Sequence, residues 1–250
     1  MNSNPIFTKL AKQQEQETIR IQASYKGVVM KTILMFAILV VSAITSLLLA
    51  IKFPTLYLVL LIASLIMGFV SVMVASTSPR LSRPFSIIYA VSEGFLVGVI
   101  SVMFAAAFEG LNIIGLAVII TLGIFAGMLV LYMTNLIQVT SRMRKVLYGI
   151  SFGILFSLLF VGLVSIFDGG STWYTLFGNP YSPLVLLLTL LFIFYGAFML
   201  VISFDDAKRI VEGGADKNYE WMVGLGLVVS TIYIYFQVLR LLAIILSRRK

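Results

Sequence analysis

The chain has 250 residues, of which 60% are hydrophobic and 11% charged, with 18 Lys and Arg against 10 Asp and Glu. A soluble domain is about half apolar and a quarter charged, so this composition excludes a water-soluble globule and marks an integral membrane protein; the mean hydropathy of +1.07 agrees. Cysteine and histidine are both absent, which removes disulfides, the usual transition-metal ligands and histidine-dependent nucleophilic pairs, and leaves carboxylates to carry any proton chemistry.

In chain order, residues 1–27 are polar and contain "TKLAKQQEQETIR", predicting a cytosolic tail; residues 28–250 are expected to form a single membrane domain. The tail is too long and too mixed in charge for a signal peptide, so the first span stays attached as an anchor. Seven apolar runs follow, at residues 32–51, 56–75, 85–108, 113–133, 146–167, 184–204 and 222–246. Each is long enough to cross ~30 Å of hydrocarbon as a helix. The runs lack the period-2 alternation of barrel strands, and lipid leaves only helices or closed barrels as spanning structures. The fold class is therefore an all-α bundle of seven transmembrane helices. The connections are short and carry Gly, Pro and charge.

Orientation follows from the basic residues. Lys9, Lys12, Arg20, Lys26, Lys31, Arg80, Arg83, Arg142, Arg144, Lys145, Lys208, Arg209 and Lys217 fall on the side of the N-terminus, against Lys52, Arg248, Arg249 and Lys250 on the other, with Arg240 inside the last span. The positive-inside rule then puts the N-terminus in the cytoplasm of a cell membrane. The basic C-terminal "SRRK" is the one misfit, and leaves open a last segment that turns back. Trp173, Tyr174 and Trp221 fall at predicted water boundaries, where aromatic belts form. The net charge of +8 sits in clusters beside the spans, where topology and anionic headgroups account for it without nucleic acid.

Within the spans, "GISFG" around Ser151 has the pattern of a nucleophile elbow, but it lies in an apolar helix of a chain without histidine, so a serine hydrolase is excluded. It reads instead as small-xxx-small packing, shared by Gly94 with Gly98, Gly123 with Gly127 and Gly149 with Gly153, which predicts close approach of spans three, four and five. Glu93 lies about 12 Å into span three with no cation within a turn of it, so it needs a partner on another span, a watery cavity or a proton. Asp205 and Asp206 fall where span six is expected to end, at the unfavourable end of the helix dipole. Either they form ion pairs with Lys208 and Arg209, or at least one turns inward to bind a proton or a hard cation, which prefers oxygen ligands. Ser230 and Thr231 lie at about the depth of Glu93, and bond either to a ligand or back to their own helix. Gln237 and Arg240 lie further along span seven, and Arg240 is expected to snorkel to the far interface.

"FDDAKRIVEGGADKNYEW", followed by "LVVSTIYIYFQVLRLLAIIL", together with "SEGFLVGVIS" in span three, resembles the Bax inhibitor 1, or transmembrane Bax inhibitor motif, family in its bacterial branch. That resemblance implies six helices wrapped around a central seventh and a pH-sensitive calcium leak channel, in which an aspartate ending span six shares a proton with one in span seven. Asp206, ahead of Ile210, Val211, Gly213 and Gly214, matches the first aspartate. The second falls at Ser230, so the shared-proton pair cannot form as the family pattern has it.

The expected function is a cation leak pathway using Asp206, Asp205 and Glu93 as an acidic cluster, with Ser230 and Thr231 as neutral oxygen ligands. Calcium, held at Asp206 and Asp205, is the ion the resemblance suggests; no other cofactor is expected, and no enzymatic activity. The alternative is a membrane-embedded regulator or interaction protein of a membrane protease or a stress pathway, without conduction, acting on that protease or another membrane protein through the tail and loops, with the acids purely structural.

Overall fold

A computed structural model describes residues 22–52 and 54–248. Seven helices are long and apolar enough to span a membrane: α1 (Tyr25–Lys52), α2 (Pro54–Thr77), α3 (Pro79–Ala107), α4 (Ile113–Met133), α5 (Ser141–Phe167), α6 (Pro183–Glu212) and α7 (Tyr219–Ser247). Between α5 and α6 a helical turn, Ser171–Trp173, runs into a π-helical turn, Tyr174–Gly178. Helix α1 already begins at Tyr25, and Ala23 N donates to Ala215 O at 2.8 Å. Residues 1–21 of the segment read as a tail lie outside the described residues. Helix α7 is unbroken over 29 residues, so Ser247 lies on the face opposite to Tyr25 rather than turning back.

Local sequence sets the helix ends. Asn112 accepts from Gly115 N at 3.0 Å and Thr140 from Met143 N at 3.2 Å, each satisfying a free N–H of the first turn. Proline, whose missing N–H costs nothing at a first turn, opens α3 and α6. Helix α6 closes with a Schellman motif: Gly214 adopts φ +63°, Gly214 N donates to Val211 O at 3.2 Å, and Ala215 N to Ile210 O at 3.1 Å. The "EGG" stop therefore lies seven residues beyond Asp205, about 10 Å further than the sequence suggests. Both aspartates sit inside α6, away from the negative end of its dipole.

Helix α7 is the core. Val228, Ile234, Val238 and Leu239 are almost wholly buried, and α7 contacts α1, α2, α3, α4 and α6. The implied arrangement of six helices around a seventh needs one correction, because α5 comes within contact distance of α6 alone among the long helices. Its apolar surface is solvated by lipid as well as by another helix, so nothing forces it onto α7. The glycine pairs divide in the same way. A Cβ at Gly94 would lie 2.8 Å from Ser42 Cβ and 2.9 Å from Leu39 Cα, and one at Gly98 3.0 Å from Ala43 Cα, so α3 and α1 meet through glycine. Gly123, Gly127, Gly149 and Gly153 have nothing within 4 Å of a Cβ. The expected close approach of spans four and five is overturned, since these glycines face no neighbouring helix.

Candidate functional site

Asp205 and Asp206 are successive residues of α6, so their side chains leave the helix about 100° apart. One residue of α5 reaches both. Arg144 Nη1 donates to Asp206 Oδ1 at 2.6 Å, and its Nη2 bonds Asp205 Oδ2. Arg209, one turn on, donates from Nε to the same Asp205 Oδ2 at 2.6 Å, and Tyr132 OH of α4 donates to Asp205 Oδ1 at 3.2 Å. Among the described residues Asp205 is thus bound from three directions, with its side chain 14% exposed, while Asp206 has a single partner and is 39% exposed. The two acids and Arg144 tie α4, α5 and α6 together on the face where α1 begins.

A cavity of about 260 Å³ lies between α6 and α7, lined by Ser203, Asp206, Arg209, Tyr219, Met222 and Gly226 among others. At its inner end Ser203 Oγ, one turn before Asp206, lies 3.3 Å from Ser230 Oγ of α7. Ser203 also donates to Met199 O at 3.1 Å. Beyond this pair Leu200, Val201 and Ile234 are completely buried, so the passage ends in packed hydrocarbon. Thr231, by contrast, donates to Leu227 O of its own helix at 2.7 Å.

The expected acidic cluster does not assemble. Glu93 lies on α3, about 21 Å from its start at Pro79 and deeper than the sequence implied, because the helix begins earlier. It faces α2, where a Cβ at Gly68 would be 3.4 Å from Glu93 Oε2. No hydrogen bond or ion pair holds it among the described residues. Helix α2 does not contact α5 or α6, so Glu93 stays apart from the aspartates. No group of three or more acidic side chains suited to a metal forms among the described residues. Calcium takes six to eight oxygens, whereas Asp205 and Asp206 are occupied by guanidinium groups; as arranged they do not fit a resident calcium site.

Three residues of the site escaped the sequence reading. Arg144 counted there only as a topology charge, and Tyr132 and Ser203 as apolar-span residues. A second ion pair was missed too. Glu220, 1% exposed, accepts from Lys31 Nζ at 2.6 Å and from Ser24 N at 2.8 Å. Lys31 Nζ also lies 5.4 Å from the centre of the Trp221 ring, and Ser82 Oγ donates to Asn218 O at 3.0 Å. Gly27 sits so close to the Glu220 carboxylate that any Cβ there would collide with it. These contacts staple the starts of α1, α3 and α7.

At the other face, Arg240 Nη2 donates to Phe177 O at 2.7 Å, the reach toward the far interface that its long side chain allows. Asp168, just past the end of α5, accepts from the Thr172 hydroxyl, from Thr172 N at 2.9 Å and from Gly170 N at 3.0 Å. The Thr172 hydroxyl above all, with these backbone N–H groups, holds its carboxyl below the usual carboxylate range.

Seven apolar helices with acids gripped by guanidinium groups where two helices meet a third define an integral membrane protein with a polar site at one end of its bundle. A family model described as Bax inhibitor 1 like matches residues 4–247, nearly the whole chain, and the protein belongs to that family. No curated protein and no solved structure matches the chain.

Proposed function

We propose that the protein is a cation leak channel of the cell membrane, its N-terminal face in the cytoplasm, and that the conformation described is closed. The observation that carries this reading is the placement of Asp206. Its carboxylate lines the cavity between α6 and α7 that leads to Ser203 and Ser230, yet it is held by Arg144. Release of Arg144 would free the Asp206 carboxylate at the mouth, with two hydroxyls a turn deeper, an entry of oxygens for a hard cation, while Asp205 stays held by Arg209 and Tyr132. Family membership favours calcium as the permeant ion. The packed residues beyond Ser230 must part for conduction, so the arginine acts as a latch on α5 and the apolar plug as the barrier.

Acid sensitivity then has a route that does not need a second aspartate. The Asp206 carboxylate that Arg144 holds also supplies the oxygens the entry offers a cation, so protonating it lowers the flux, as neutralising Asp206 by substitution should. The test is calcium entry into dye-loaded liposomes. Protein-containing vesicles should leak faster than empty ones, Asp206→Asn should lower the flux, and Arg144→Gln should raise it. Equal traces from protein and empty vesicles would end the channel reading and leave that of a regulator. Deleting residues 1–21, which spares the Ala23 contact with Ala215, should leave flux intact while removing any interaction made through the tail.

A further inference from the structure

Near the face opposite the aspartates a cavity of about 450 Å³ lies between the ends of α3 and α7, the start of α6 and the π-helical turn. Its walls include Phe104, Phe177, Gln237, Arg240, Ile244 and Ser247. Arg240 lies seven residues before the end of α7, about 10 Å inside it, and its guanidinium is charged at any working pH. Among the described residues no carboxylate pairs with it. Asp168, which belongs to the same face, is committed to Thr172 and Gly170, and Glu109 is exposed and forms no ion pair there.

The guanidinium has five N–H donors in a planar fork. One nitrogen, Nη2, donates to Phe177 O, and the group lies 5.3 Å from the centre of the Phe177 ring. Nη2 keeps a second N–H, and Nε and Nη1 have no acceptor among the described residues, so the edge formed by that second N–H and its neighbouring nitrogen remains open beside the cavity. Gln237 lines the same space, and its Oε1, an acceptor buried without a donor, suits a hydroxyl or protonated oxygen of the bound group and not its charged oxygens. An unpaired cation at this depth is costly, and such groups in membrane proteins mark ligand or ion sites. Two oxygens of one anionic group match the open edge of an arginine in both charge and geometry.

We propose that this cavity binds an anionic oxygen group, phosphate or carboxylate, on the open edge of Arg240, with Phe177 as its cover. The group belongs either to a lipid headgroup or to a free small anion. Nearby Arg248 supplies the internal contrast, because its Nε and Nη2 donate to Pro180 O at 2.9 Å and Ser182 O at 3.0 Å and it serves to hold the loop.

The experiment uses the full chain, delipidated in a neutral detergent, and measures thermal stability and lipid retention while titrating phosphatidylglycerol, phosphatidylcholine or inorganic phosphate. Wild type should be stabilised by phosphatidylglycerol, by phosphate, or by both, and more weakly by zwitterionic phosphatidylcholine. Stabilisation by phosphatidylglycerol alone assigns a lipid headgroup, and by phosphate alone a free anion. Arg240→Gln should weaken binding at least about tenfold, the scale of a lost charged hydrogen bond. Arg240→Lys, which keeps the charge and loses the fork, should fall in between, and gives the answer if the glutamine variant fails to fold. Arg248→Gln should bind as wild type does. Failure of all three probes, or binding by both Arg240 variants that matches wild type, would overturn the proposal.

Discussion

Helices α3 and α5 have nearly the same length, 29 and 27 residues, and both begin with arginines, yet they join the bundle by opposite means. Ten residues of α3 are buried, glycines among them where it meets α1. Leu147 is the one buried residue of α5, which is attached by two polar pins. Arg144 grips Asp205 and Asp206, and Ser151 Oγ lies 2.6 Å from Tyr195 OH of α6. Contact area holds α3 whatever the charge state, whereas the attachment of α5 depends on ion pairs and one hydroxyl contact. The packed side of the protein is thus α1, α3 and α7, and the side held by charge is α5.

Substitutions on each side sharpen that division. The largest effect should come from Lys31→Met, which leaves Glu220 charged and buried without its cation and should cost about 3–5 kcal/mol; thermal unfolding in micelles measures it. Gly98→Val places branched carbons against Ala43 and should cost about 1–3 kcal/mol or prevent folding. Ser151→Ala removes one pin of α5 and should cost about 0.5–1.5 kcal/mol, with faster hydrogen exchange confined to α5. Gly149→Ala should be neutral or slightly stabilising, because open space surrounds it and alanine favours the helix. A loss with Gly149→Ala comparable to that with Gly98→Val would erase the distinction.

The spans were legible because their signal is long and one-dimensional: each apolar run needs only its own length, and all seven proved helical. Helix ends were less so. Charged turns such as "SRMRK" and "DDAKRIVE" continue the helix past the apolar run, and the Schellman stop at Gly214, not the first aspartate, ends α6. Asp205 and Asp206 stood out in the sequence as acids out of place, and they do meet a cavity. Their partner could not be found the same way, because Arg144 lies 61 residues from Asp205 and looked like one more inside charge. The spacing of Gly149 and Gly153 is identical to that of Gly94 and Gly98, so spacing alone could not tell a packed face from one toward lipid.

The most direct test of the latch is a cycle of cation flux in liposomes over wild type, Arg144→Gln, Asp205→Asn with Asp206→Asn, and all three together. If Arg144 closes the pathway by holding the aspartates, its loss raises flux several-fold, and that gain vanishes once the carboxylates are gone. Flux unchanged by Arg144→Gln, or a gain of the same size without the aspartates, would contradict it.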